Sequence, residues 1–130
     1  MQLPIQIKGV VKKFSGNGRR LGYPTANIEV DDDAPEGIFF GYTTLEGRKL
    51  PSIIFIGAPI TLGIMNKRAE SYILDFVDRD LYDTRIELEI VKKLRDNHKY
   101  GSVEQLIEQI KLDVQDAAYF FGSIKVVEPE

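Results

Sequence analysis

The sequence predicts a mainly β fold: a small antiparallel barrel of five or six short strands capped by one helix. Three observations carry this. Apolar and polar residues alternate with period two in several short segments, turns rich in glycine, proline and aspartate separate them, and one long stretch near the C-terminus switches to helical spacing. With 130 residues the chain is read as a single domain, 1–130, able to bury its own core.

Residues 5–12 alternate, with Ile5, Ile7, Gly9 and Val11 on one face and Gln6, Lys8 and Lys12 on the other. A glycine-rich turn follows, then a short strand from about Thr25 to Val30. Asp31, Asp32 and Asp33 lead into Ala34-Pro35. Their side chains would diverge in a loop, and no calcium-loop spacing continues from them, so a solvated loop is expected. Residues 37–45 are rich in β-formers, Glu46-Gly47 turns the chain, and Leu50 to Ile56 returns as a strand. Pro51 lacks a backbone donor and is expected at the start or edge of that strand. Gly57 to Arg68 reads as a loop.

The next predicted strand, Glu70 to Val77, places Glu70, Tyr72, Leu74 and Phe76 on one face and Ser71, Ile73, Asp75 and Val77 on the other. Glu70 would stand partly desolvated at the barrel mouth, where burial raises a carboxyl pKa toward that of a general base; a solvated strand end fits its position as well. Asp78 to Asp83 is a polar turn from which Leu81 and Tyr82 pack back onto the body. Arg85 to Val91 alternates, with Ile86, Leu88 and Ile90 inward, and the strand ends near Leu94-Arg95. After a loop, Ser102 and Gln105 form a capping box for a helix over about 102–121. Its apolar face is Val103, Leu106, Ile107, Ile110, Val114, Ala117, Ala118 and Phe121, and Ile124 to Val127 would frame a last edge strand.

Composition narrows the function classes. The chain is 43% hydrophobic and 28% charged, as in a soluble globular protein, and its net charge of -3 offers no basic excess for nucleic acid. It has no cysteine, which excludes disulfides, thiolate nucleophiles and cysteine-zinc sites. The single histidine, His98, lies between Asn97 and Lys99 in an expected loop, which argues against Ser-His chemistry. No apolar run approaches the roughly 18 residues of a membrane span, and no signal-peptide pattern opens the chain. A cytoplasmic monomer with no nucleic-acid or membrane partner is therefore expected.

The stretch from Gly16 to Asn27 holds most of the functional information. Gly16, Gly18 and Gly22 free the backbone to approach a ligand, and Arg19 and Arg20 could meet phosphate oxygens. The same residues also fit a plain hairpin turn with solvated charges. The Gly-Lys-Ser/Thr ending of a Walker loop is absent, and Pro24 stands where a dinucleotide fold would start its helix. Thr25 and Asn27, two apart on a strand, offer hard neutral oxygens from one face, a set that suits magnesium when phosphates supply the charge.

Leu21-Gly22-Tyr23-Pro24-Thr25-Ala26-Asn27-Ile28 resembles the Leu-Gly-aromatic-Pro-Thr-Ala-Asn signature of the riboflavin kinase family. Gly9-Val10-Val11, Gly37-Ile38-Phe39, Ile56-Gly57, Glu70 with Ile73-Leu74, Asp80-Leu81-Tyr82, Leu94-Arg95 and Asp113 extend the resemblance from about Lys8 to Phe121. It implies a six-stranded antiparallel Greek-key-type barrel with one C-terminal helix. It also implies transfer of the γ-phosphoryl group of ATP to the 5′-hydroxyl of riboflavin, giving FMN and ADP, with Mg2+ or another divalent cation. By the same resemblance Glu70 is the base, Thr25 and Asn27 are the metal-associated pair, and Arg95 lies near the flavin. The Gly16–Gly22 turn, with Arg19 and Arg20, would cradle phosphates. The family's kinase also forms the C-terminal part of a bifunctional FAD synthetase, so the chain is either a stand-alone kinase or the kinase part of such an enzyme.

The sequence departs from the family pattern at three places. Ala58-Pro59-Ile60-Thr61 replaces Asn-Pro-Thr after Ile-Gly, Tyr72 replaces a histidine, and Asp96-Asn97 replaces Pro-Glu. These changes could tune substrate or nucleotide choice, or mark a catalytically impaired flavin- or nucleotide-binding barrel; a structural barrel without a small-molecule site is a third alternative.

Overall fold

The computed structural model describes residues 3–12, 22–58 and 67–122. Six strands and one helix follow one another: β1 (Ile5–Val10), β2 (Ala26–Glu29), β3 (Gly37–Leu45), β4 (Arg48–Gly57), β5 (Arg68–Ile73), β6 (Arg85–Arg95) and α1 (Val103–Phe121). The strands form one antiparallel sheet in the order β1-β6-β3-β4-β5-β2. Its two ends come together. Lys12 N donates to Asn27 O at 2.9 Å, just past β1. Gly9 lies so close to β2 that an added Cβ would stand 3.0 Å from Ile28 Cβ. The result is the nearly closed barrel that the sequence predicts.

Alternation sorts each strand between two cores. Ile28, Phe39, Ile54, Ile56, Ala69, Ile86, Leu88 and Ile90 fill the barrel interior. Ile38, Phe40, Ile53 and Leu74 face outward and are covered by Val114 and Ala117 of α1, with Tyr23 in the same cluster. The period-two and helical patterns thus meet at a shared outer layer. At Gly41 a Cβ would stand 2.0 Å from Glu89 O, so only glycine lets β3 pass β6 beside the irregularity between Phe40 and Gly41.

The interior also holds a buried polar chain from β3, β4 and β5. Thr43 Oγ1 lies 2.8 Å from Ser52 Oγ and 2.5 Å from Ser71 Oγ, while Ser52 Oγ donates to Leu50 O at 3.0 Å. One proton per hydroxyl fixes the direction: Ser71 donates to Thr43, Thr43 to Ser52, and Ser52 to the carbonyl. All three residues are almost fully buried. Thr43→Val keeps the shape but leaves the Ser71 proton without an acceptor. It is expected to cost about 1–3 kcal/mol in denaturant unfolding. A valine variant as stable as the parent would refute the directed chain.

Several boundaries differ from expectation. Pro51 sits inside β4, between β3 and β5, rather than at its start. Its carbonyl accepts from Leu74 N at 3.0 Å, so its missing donor faces β5 where that strand is ending and only one ladder bond is lost. The expected strand over 70–77 instead begins at Arg68 and stops at Ile73; Asp75 takes a positive φ of 53° and Val77 is exposed. In α1, Ser102 Oγ accepts from Gln105 N at 3.2 Å, but the Gln105 side chain accepts from Gly101 N rather than closing the capping box on Ser102. Val103 is exposed rather than packed, and Asp113 is buried within the apolar face. The expected edge strand at Ile124–Val127 lies outside the described residues.

Candidate functional site

β5 carries Arg68, Glu70 and Tyr72 outward, because Ala69, Ser71 and Ile73 face the interior. Its neighbours complete a patch centred on Glu70. On the β4 side, Gly57 stands opposite Arg68, Phe55 opposite Glu70 and Ile53 opposite Tyr72. On the β2 side, Glu29 stands opposite Arg68 and Asn27 opposite Glu70, with Thr25 just before the strand. One half of the patch is apolar and the other polar, and Glu70 lies on the seam. Glu70 is therefore on the outer barrel wall, third in its strand, rather than at the mouth: β5 starts two residues earlier than the alternation was read.

Thr25, Asn27 and Glu70, far apart in sequence, come together here. Thr25 Oγ1 lies 3.2 Å from Glu70 Oε1 and 3.3 Å from Asn27 Oδ1, so its single proton is shared between two acceptors. Burial pushes the Glu70 carboxyl above the ordinary carboxylate range, while the Arg68 guanidinium and the Thr25 hydroxyl pull it partway back. Tyr72 meets Tyr23 edge to face, with ring centroids 5.6 Å apart, which fixes the chain just before Pro24-Thr25. Among the described residues no cluster of three or more His, Cys, Asp or Glu could hold a metal. The oxygens gathered here are instead the neutral Thr25 Oγ1 and Asn27 Oδ1, a pair that could hold Mg2+ if phosphate oxygens supplied the charge, with the Glu70 carboxylate beside them.

Arg95 belongs to the same cross-strand row but stands apart from this centre. Arg95 pairs with Ile38, Ile38 with Phe55, and Phe55 with Glu70, so three strand spacings, about 14 Å, separate Arg95 from Glu70. Its fork is turned to the helix: Nε and Nη2 donate to the two carboxylate oxygens of Asp113 at 3.2 and 2.7 Å, and Nη1 to Asp96 O at 3.3 Å. Gln109 Nε2 adds a bond to Asp113 Oδ1 at 3.0 Å. The following loop is held by Asn97 Nδ2, which donates to Ile56 O at 3.0 Å. Of the expected phosphate turn, Gly22 takes a positive φ of 92°, as its glycine permits; Gly16, Gly18, Arg19 and Arg20 lie outside the described residues. Pro59 to Thr61 lie outside them too.

Sequence reasoning misses Arg68, which is 3% exposed beside Glu70 although the breakers before it read as a loop. Extending the alternation one step before Glu70 would have found it. Among the described residues no helix is long and apolar enough to cross a membrane.

The fold and site together define a small β-barrel whose outer wall joins an apolar half and a polar half at a half-buried carboxylate. Comparison with known proteins makes the class specific. The family model for flavokinase (riboflavin kinase) matches residues 1–121, and the chain belongs to the riboflavin kinase family. It is 33% identical to the trifunctional protein RibF/MnmA of Mycoplasmoides gallisepticum, over 91% of this chain and 18% of that protein. It is also 33% identical to the RNA-binding riboflavin kinase RibR of Bacillus subtilis, over 95% of this chain and 54% of the relative. Other relatives are bifunctional riboflavin kinase/FMN adenylyltransferases. The chain thus spans about half, or much less, of the curated relatives it matches. Among solved structures, a Streptococcus pneumoniae protein described as a macrolide-efflux protein matches with TM-score 0.74 and 28% identity, over 88% of this chain and 38% of that one. The riboflavin kinase of Trypanosoma brucei shares the fold, with TM-score 0.61 and 22% identity over 88% and 75% of the two chains.

Proposed function

We propose that this chain transfers the γ-phosphoryl group of ATP to the 5′-hydroxyl of riboflavin, releasing FMN and ADP. The observation that carries the reading is the meeting of Thr25, Asn27 and Glu70 on the seam between the two halves of the patch. In the transfer, the 5′-oxygen bonds to the γ-phosphorus, the bond from that phosphorus to the β,γ-bridging oxygen breaks, and the hydroxyl proton leaves. Glu70 accepts that proton; burial raises its pKa and makes its carboxylate a stronger base than an exposed one. The Thr25 hydroxyl fixes the orientation of the Glu70 carboxylate. Phe55, only partly buried, gives the flavin ring an apolar surface beside Glu70. Arg95 serves that surface indirectly, by tying β6 to α1 through Asp113.

Thr25 and Asn27, with phosphate oxygens, would hold Mg2+, which neutralises phosphate charge when bound. The remaining need, cradling the nucleotide phosphates, falls to the Gly16–Gly22 turn with Arg19 and Arg20. A chain purified with riboflavin, ATP and Mg2+ is expected to form FMN. Asn27→Ala is expected to raise the Mg2+ concentration for half-maximal rate by about tenfold or more, the scale on which lost ligand support weakens metal sites. No FMN, with riboflavin fluorescence still quenched on binding, would favour the impaired flavin-binding barrel; an unchanged Mg2+ titration would remove Asn27 from the metal site.

A further inference from the structure

The proposed transfer creates a difficulty that the site must solve. It places a new phosphate beside the carboxylate that removed the proton, and two like charges in a partly desolvated patch repel. A buried cation stands in position to offset that repulsion. Arg68 opens β5 on the same outward face as Glu70, two residues and about 7 Å away along the strand. Across the ladders it lies opposite Gly57 and Glu29, and so diagonal to Phe55 and Asn27. Gly57 has no side chain of its own, and Asn97 Nδ2 and Glu36 Oε1 lie close to where its Cβ would stand.

Glu29 and Lys67, which flank Arg68, each have a charged neighbour of their own. Glu29 is exposed, with Oε1 3.8 Å from Lys12 Nζ. The Lys67 ammonium donates to Asp32 O at 2.8 Å and Ala34 O at 2.6 Å and lies 3.7 Å from Glu36 Oε2, which holds the β2–β3 loop. Glu70 is a charge that acts on Arg68, favouring its protonated form against burial. A guanidinium stays protonated even when burial disfavours its charge, so Arg68 is a fixed positive charge beside the reacting carboxylate.

We propose that Arg68 is a specificity-determining residue that makes this face prefer flavin carrying a terminal phosphate over neutral flavin, by offsetting the charge of Glu70 where that phosphate sits. The inference rests on the flavin kinase reading above. Riboflavin and FMN differ only by that phosphate, so the pair isolates the effect of charge. Arg68→Met and Arg68→Gln remove the charge, and Arg68→Lys keeps it.

The test is direct flavin binding, followed by flavin fluorescence at pH 8 with riboflavin and with FMN, with no turnover required. Both neutral variants are expected to bind FMN about tenfold more weakly while riboflavin affinity stays within about twofold, and Arg68→Lys is expected to recover most of the loss. Retained riboflavin binding also reports that the variants fold. Equal weakening of both flavins in the two neutral variants would assign Arg68 a structural role and overturn the inference, as would no change in either. If the parent chain binds neither flavin, the kinase reading itself falls and this inference falls with it, an outcome separate from the other two.

Discussion

Glu70→Gln is expected to lower kcat by about two to four orders of magnitude while leaving riboflavin affinity near that of the parent, because it removes the proton acceptor and little else. The amide has the shape of the carboxylate, and its oxygen can still accept from Thr25 Oγ1, now 3.2 Å from Glu70 Oε1. The pH dependence follows from the same group. Burial raises its pKa above the ordinary value of 4.5, so the parent kcat/KM should fall as pH drops through that raised value, and the residual activity of the variant should lack this acid limb. Stability should respond in the opposite sense. A carboxyl whose folded pKa is raised favours the fold while protonated, below its unfolded pKa, and loses that contribution as pH rises through the folded pKa. Above that raised pKa the parent carries an ionised, desolvated carboxylate at a cost, and Glu70→Gln should be at least as stable there, with the advantage vanishing in acid. Normal turnover in the variant would remove Glu70 from the chemistry; a less stable variant above that pKa would show that the carboxylate is there for the fold.

What the sequence could reveal about this patch depended on how local each feature is. β3 runs from Gly37 to Leu45 as its composition predicts, and Ile86, Leu88 and Ile90 point inward as their alternation predicts, because one strand's period is enough to specify both. Thr25 and Asn27 were legible as a pair for the same reason, being two apart where β2 begins. Their meeting with Glu70 was not, since it depends on β2 pairing with β5 across the sheet, a register that no single segment encodes. Pro51 was misplaced because its cost depends on which neighbour its missing donor faces, and β5 ends there. Arg68 was missed because Lys67-Arg68 after a run of breakers looks like loop charge; burial beside Glu70 is a tertiary property. The role of Arg95 came from a motif, and the motif does not show that its fork is engaged by a carboxylate eighteen residues later.

That engagement makes a second large effect predictable. Arg95→Met is expected to destabilise the fold by about 3 kcal/mol, roughly 10 °C in Tm for a domain of this size. Asp113 is 4% exposed and loses its bidentate cation in this variant while the Gln109 amide stays at 3.0 Å, so a buried carboxylate is left without the guanidinium that offset it. The reverse truncation should be milder. Asp113→Asn leaves the Arg95 guanidinium, whose side chain is 24% exposed, able to turn toward water. The double variant should cost less than the two single losses added together, because once Arg95 is gone the Asp113 substitution relieves an unpaired charge rather than breaking a bond. Denaturant unfolding of the three variants measures this order, and riboflavin binding measured alongside separates the two roles open to Arg95. If it acts by tying β6 to α1, flavin affinity should fall only as the fold loosens, and Asp113→Asn should lower it in proportion to its smaller stability loss. If Arg95→Met loses flavin binding while remaining as stable as the parent, the guanidinium contacts the flavin and its bond to Asp113 only orients it.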